Sequence, residues 1–250
     1  MARKKRKKRG FLIALMVGFD EKSIHLWKVY GYTVKRYKQI KLGKKWKYAD
    51  SKQKYHYFEQ LVDAIRPFRK KGLKSILLVC PPKLELTDLF LKHVNKHHRW
   101  LVSSRGNNQI TFGGIDGYAR DLEEAKYLVS KEEVSEKIFE ITSEEANLII
   151  KQLEKSMNID KKDAIVIYGL KEIEDLIYEG GKKDDSVADK IDYLIMSKNF
   201  VNNHSNKSRV YRLKQIAENK GIMTRIISGE TSAGSRINQF GGIICFKKSY

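Results

Sequence analysis

Apolar residues fall in short runs along this chain, and the spacing within each run predicts its element. Residues 11–19 are almost continuously apolar, as a strand covered on both faces would be. The next two runs, 23–30 and 32–42, alternate through Ile24, Leu26, Val34 and Tyr37, which predicts an outer hairpin joined tightly at Gly31. In 52–71 the residues Tyr55, Phe58, Leu61, Val62, Ile65 and Phe68 recur every three or four positions and make one helical stripe, with Pro67 weakening its last turn. A strand at 75–80 stops at Pro81-Pro82, and 84–97 is an amphipathic helix. Short strands are predicted at 100–103 and 109–112, followed by a turn at Gly113, Gly114 and Gly117 and a helix around 122–128. A charged helical region over 130–156 leads into four β-rich runs, within 164–174, 191–197, 221–228 and 241–246. Polar, helix-compatible spacers separate them, and 180–189 reads as a surface loop.

That order predicts an α/β protein of two domains behind a basic, disordered arm at 1–10: a first domain over 11–135 and a second over 136–250. A chain of 250 residues buries ~70–75% of its unfolded surface and needs no staple. Cys80 and Cys245, the two cysteines, each lie inside an apolar run and read as packing residues of a reduced, cytoplasmic protein. The basic start followed by 11–19 imitates a secretory signal, but Asp20-Glu21 cuts the run far short of the ~20 residues a bilayer needs. No membrane attachment is expected.

Charge divides the chain unevenly. Residues 1–139 hold 32 Lys and Arg against 14 Asp and Glu, whereas 140–250 hold 18 against 16. A net +18 on one half attracts polyanions and releases counterions from phosphates, so the expected partner is RNA, bound in a salt-dependent way. The expected RNA-binding residues are the arm's Arg3, Lys4, Lys5, Arg6, Lys7, Lys8 and Arg9, the aromatic-basic loop Lys44, Lys45, Trp46, Lys47 and Tyr48, and Lys52 and Arg105.

Particular words of the second half resemble the Pelota and class I release factor family: Ala164-Ile165-Val166-Ile167-Tyr168-Gly169, Ile191-Asp192-Tyr193-Leu194-Ile195-Met196-Ser197, the small-residue turn Ser228-Gly229-Glu230-Thr231-Ser232-Ala233-Gly234, and Gly241-Gly242-Ile243. In the first half, Tyr55-His56-Tyr57-Phe58-Glu59-Gln60-Leu61 resembles the helix of the family's central domain, and Ser75-Ile76-Leu77-Leu78-Val79-Cys80 the strand after it. The resemblance covers about 11–248 and implies a ribonuclease-H-like mixed sheet with helices, followed by a small αβα sandwich. It implies a ribosome-directed factor whose central domain faces tRNA or rRNA and whose C-terminal domain faces proteins, a monomer off the ribosome. An elongation-factor-like GTPase and a ribosome-splitting ATPase are the family's protein partners. Where the family carries Pro-Gly-Phe, this chain has Pro81-Pro82-Lys83, the candidate protein-partner turn. The Gly-Gly-Gln tripeptide of release factors is missing from the interval between Gly43 and Gln53, so peptidyl-tRNA hydrolysis is not expected. The family's N-terminal, decoding-centre domain is not expected ahead of a strand beginning near Phe11.

The remaining chemistry is sparse. His93 and His97 share a helical face at zinc-ligand spacing, but no Cys, Asp or third well-spaced His accompanies them, so with His98 they read as a basic helix end. Asp184, Asp185, Asp189 and Asp192 read as solvated loop carboxylates, and no Walker-type phosphate loop is present. No catalytic residue, metal or cofactor is expected. The expected function is a noncatalytic, ribosome-binding translation factor in rescue, recycling or hibernation. Two alternatives stay open: a ribosome-assembly or structured-RNA-binding protein, and an RNA- or peptidyl-tRNA-cleaving enzyme.

Overall fold

The computed structural model describes residues 10–30, 33–103, 109–157, 166–179 and 191–246. Gly31, the arm at 1–9 and the loop at 180–189 lie outside them. The chain divides into two compact units, one of Met1–Ala64, Ser75–Val102 and Phe112–Ile141, the other of Ile65–Lys74, Ser103–Thr111 and Thr142–Tyr250.

The first unit is built on a five-stranded mixed sheet with the order β3-β2-β1-β4-β5. Its strands are β1 (Ala14–Phe19), β2 (Ser23–Tyr30), β3 (Thr33–Lys41), β4 (Ser75–Cys80) and β5 (Thr111–Asp116). The first three pair antiparallel, and β1 pairs parallel with β4, the topology of a ribonuclease-H-like sheet. Helices α1 (Ser51–Lys70), α2 (Leu86–His97), α3 (Leu122–Ser130) and the start of α4 (Glu132–Met157) accompany it. One core gathers Met16, Trp27, Val29, Leu77 and Val79 of the sheet with Leu128, Val134, Ile138 and Ile141 of α3 and α4. Gly18 is required by close approach: a Cβ there would lie 2.7 Å from the Ala119 carbonyl, the same oxygen that accepts from Trp27 Nε1 at 2.8 Å.

Three expectations need correction. The hairpin of β2 and β3 does form one side of the sheet, but β2 is not half-exposed: it lies between β1 and β3 and six of its eight residues are buried, and its buried polar members Ser23 and His25 bond to one another at 2.7 Å. Residues 100–103 form no strand, because the chain closes a 3-10 turn at Arg99–Leu101 directly after α2. Gly113 and Gly114 lie inside β5, where a Cβ at Gly113 would meet Ile141 at 2.8 Å, and only Gly117 marks the strand's end. The helix expected over 52–71 is present as α1, with Pro67 inside its last turn.

The second unit carries the sheet β6-β9-β7-β8, made of β6 (Val166–Tyr168), β7 (Tyr193–Ser197), β8 (Met223–Ile227) and β9 (Ile243–Phe246). β7 and β8 run parallel through a crossover of α6 (Lys198–Asn203) and α7 (Lys207–Asn219), while β9 is antiparallel to both β6 and β7. Tyr193 and Ile195 pack with Ile149 and Leu153 of α4 and Ile237 of α8 (Ser232–Gln239). Leu194 and Met196, also fully buried, point by alternation to the face served by α7 and α5 (Leu170–Glu179). The result is the three-layer αβα sandwich. A buried ion pair is neutralised internally: Arg225 Nε lies 2.7 Å from Glu145 Oε1, and Arg225 also donates to Oε2 at 2.9 Å.

Candidate nucleic-acid interface

The edge strand β3 exposes all of its nine residues except Val34 and Ile40. Its pairing with β2 sets Lys35 opposite Lys28 and Lys38 opposite Leu26, then Arg36 opposite Trp27, which leaves Tyr37 as the extra residue of a bulge. Paired residues share a face of the sheet, so Lys28, Lys35 and Lys38 stand together. Tyr37 joins them, with the Lys28 ammonium 4.8 Å from its ring centroid, and Tyr30 does likewise with Lys35 at 5.8 Å. Cations and tyrosine rings thus alternate over one patch, while Arg36 turns to Trp27 on the other face and donates to Gln39 at 2.7 Å. Like charges set directly opposite each other on a sheet are destabilising, and the rings offset part of that cost.

β3 leads into the predicted aromatic-basic loop. Two backbone bonds tie the loop to the turn between β1 and β2, Leu42 N to Lys22 O and Trp46 N to Glu21 O, both at 2.8 Å. Lys44, Lys47, Tyr48 and Lys52 are exposed, Tyr48 at 68%. Lys45 is also exposed but is bound to Glu21 at 3.0 Å, a hydrogen bond that raises its ammonium above the ordinary range. Trp46 corrects the expectation of base stacking: it is 6% exposed and packs on Phe58, centroid to centroid at 4.8 Å, because its apolar area finds the stripe of α1. Arg3, Lys4, Lys5, Arg6, Lys7, Lys8, Arg9 and Arg105 lie outside the described residues. Lys28, Tyr30, Lys35, Tyr37 and Lys38 are not among the RNA-binding residues expected from the sequence. Their signal was present: Lys35-Arg36-Tyr37-Lys38 interleaves cation and aromatic as the 44–48 loop does, but it was absorbed into a hairpin pattern.

The Pro81-Pro82-Lys83 turn has different surroundings. Pro81 is buried, Pro82 and Lys83 are exposed, and Glu85 behind them is the one non-glycine residue with positive φ (48°) among the described residues. A cleft of about 660 Å³ adjoins the turn, lined by Glu85, Asp88, Asp116, Glu133, Glu136 and Glu140 with Lys137 as its single cation. Such a lining repels phosphate, in contrast to the basic patch on β2 and β3. Elsewhere in this unit, Glu59 of α1 meets His93 and His98, three donors that the sequence reading did not bring together. Burial pushes the Cys245 thiol up to about 12, and raises Cys80 as well, which agrees with two packing cysteines.

No protein-family model matches this sequence, and no curated protein matches it. Solved structures do. Archaeal Pelota, in a structure described as ribosome-bound Pelota and ABCE1, is 16% identical over 97% of this chain and 62% of its own, with a TM-score of 0.52. Dom34 of S. cerevisiae, described as a translation termination-like factor interacting with Hbs1, is 17% identical over 94% of this chain and 63% of its own, with a TM-score of 0.47. The chain spans somewhat less than two thirds of the length of these proteins. Its fold is Pelota-like. Among the described residues, no helix is long and apolar enough to cross a membrane.

Proposed function

We propose that this protein is a ribosome-binding translation factor that acts by occupying its site rather than by catalysis, in rescue, recycling or hibernation. The carrying observation is the patch of Lys28, Lys35 and Lys38 interleaved with Tyr30 and Tyr37. Lysines on an edge strand also keep a sheet from pairing with another chain. That need does not account for Lys28, which sits on the inner strand β2, or for tyrosines held among the cations. Phosphates between the lysines would relieve their repulsion, and unstacked bases would take the rings. In this reading the basic stretch 1–139 turns toward rRNA or the tRNA acceptor region, and the near-neutral stretch 140–250, with 18 Lys and Arg against 16 Asp and Glu, toward proteins. An elongation-factor-like GTPase and a ribosome-splitting ATPase are the partners this reading brings with it, and the cytoplasm is where it operates.

Sedimentation of the full chain with ribosomes at two salt concentrations, with the RNA examined for cleavage and peptidyl-tRNA for hydrolysis, tests the proposal. Stoichiometric pelleting that falls steeply with salt, without product, supports it. Turnover overturns the noncatalytic reading, and preference for isolated structured RNA over ribosomes overturns the ribosomal one.

A further inference from the structure

Helix α1 has two carboxylates among many cations, Glu59 and Asp63. Glu59 follows Phe58 of the buried stripe, and this placement turns its side chain toward the end of α2. There Oε1 lies 2.8 Å from His93 Nε2 and 2.7 Å from His98 Nε2. All three donor atoms are within 4.8 Å of one another. Both imidazoles are held by packing: the His93 ring stands 5.2 Å from Phe58 and 5.1 Å from Tyr55, and the His98 ring 6.3 Å from Trp100. Their side chains are 7% and 9% exposed, that of Glu59 25%.

We propose that Glu59, His93 and His98 bind a divalent transition metal of the zinc class and so clip α1 to the end of α2. Two imidazole nitrogens and one carboxylate oxygen form a donor set zinc accepts, with water completing a tetrahedron. Bonds of about 2.0–2.1 Å place tetrahedral donors about 3.3 Å apart. The nitrogens therefore draw together by at most about 1.5 Å and the carboxylate turns slightly outward, within what side-chain torsions allow. Each neutral imidazole coordinates through Nε2 once its proton resides on Nδ1, so two hydrogen bonds to Oε1 are exchanged for metal bonds. Lys92, Lys96 and Arg99 oppose a cation here, but they are exposed and screened by solvent. His97, whose ring is 4.9 Å from that of His93, is exposed and is not a ligand.

The test uses the full chain, stripped with chelator and titrated with zinc chloride by calorimetry. Cobalt(II) is then used as a visible probe of geometry. The expected result is one zinc per chain, a tetrahedral cobalt spectrum, and a melting temperature higher by roughly 5–10 °C at a hundredfold excess over Kd. Glu59→Gln and His98→Asn weaken zinc binding by about 100-fold or more, while His97→Asn leaves it unchanged. Absence of stoichiometric zinc, an octahedral cobalt spectrum in the unmodified protein, or binding that survives both ligand variants overturns the proposal. Loss of binding in His97→Asn does so too, since it assigns the ion to exposed surface histidines.

Discussion

Replacing Lys35 by threonine separates the two roles that an edge-strand lysine can have. Lys35 lies opposite Lys28, and removing one member of a like-charged cross-strand pair returns about 0.2–1 kcal/mol. The same change removes the ammonium 5.8 Å from the Tyr30 ring centroid, a contact of about 0.5 kcal/mol where exposed. Threonine suits a strand. The terms nearly cancel, so the stability change should lie within about 0.5 kcal/mol of zero, a melting shift of at most ~2 °C. Binding behaves differently. One lost phosphate contact reduces the slope of log K against log salt by about 0.7 on single-stranded RNA, which is about fivefold in affinity at 0.1 M salt relative to 1 M. Fluorescence anisotropy with a labelled single-stranded RNA, repeated over a salt series, reads both numbers, and a thermal melt of the same sample reads stability. Destabilisation by more than ~1 kcal/mol with an unchanged salt slope would refute the reasoning, because Lys35 would then be a structural residue.

Other expectations concern the scaffold. Arg225→Met leaves Glu145, 1% exposed, without its cation and should cost about 3–5 kcal/mol in urea denaturation, most of which Arg225→Met with Glu145→Leu restores. Gly18→Ala forces a methyl against the Ala119 backbone and displaces the acceptor of Trp27 Nε1; about 1–3 kcal/mol should be lost, with altered Trp fluorescence. Burial, aided by the Arg36 charge, holds the His25 imidazole below its ordinary 6.5, so the unfolded chain takes up the proton first. The stabilisation from keeping it neutral is present above about pH 6.5 and lost as pH falls toward the folded value; His25→Asn should flatten stability between pH ~7 and ~5.

Much of this architecture was legible because burial stamps its period on the residues. The stripe from Phe58 to Phe68, the continuous run of β1 and the alternation of strands and helices after α4 all express local geometry. What failed depends on partners distant in sequence. β2 alternates like an outer strand yet is covered on both faces, and Trp46 reads as a stacking residue until the α1 stripe is known to receive it. The bulge at Tyr37 changes which residues share a face through a register slip that no composition signals. Glu59 is 34 residues from His93, so their meeting follows from how α1 and α2 pack and not from ligand spacing.

The most direct test of the central claim is to cross-link the full-length protein to ribosomes with ultraviolet light and identify the attached peptides. Attachment to rRNA or tRNA through Tyr30, Tyr37 or Tyr48, competed by salt, is the predicted result. RNA attachment confined to residues 166–246, or none in a complex that still pellets, would contradict it.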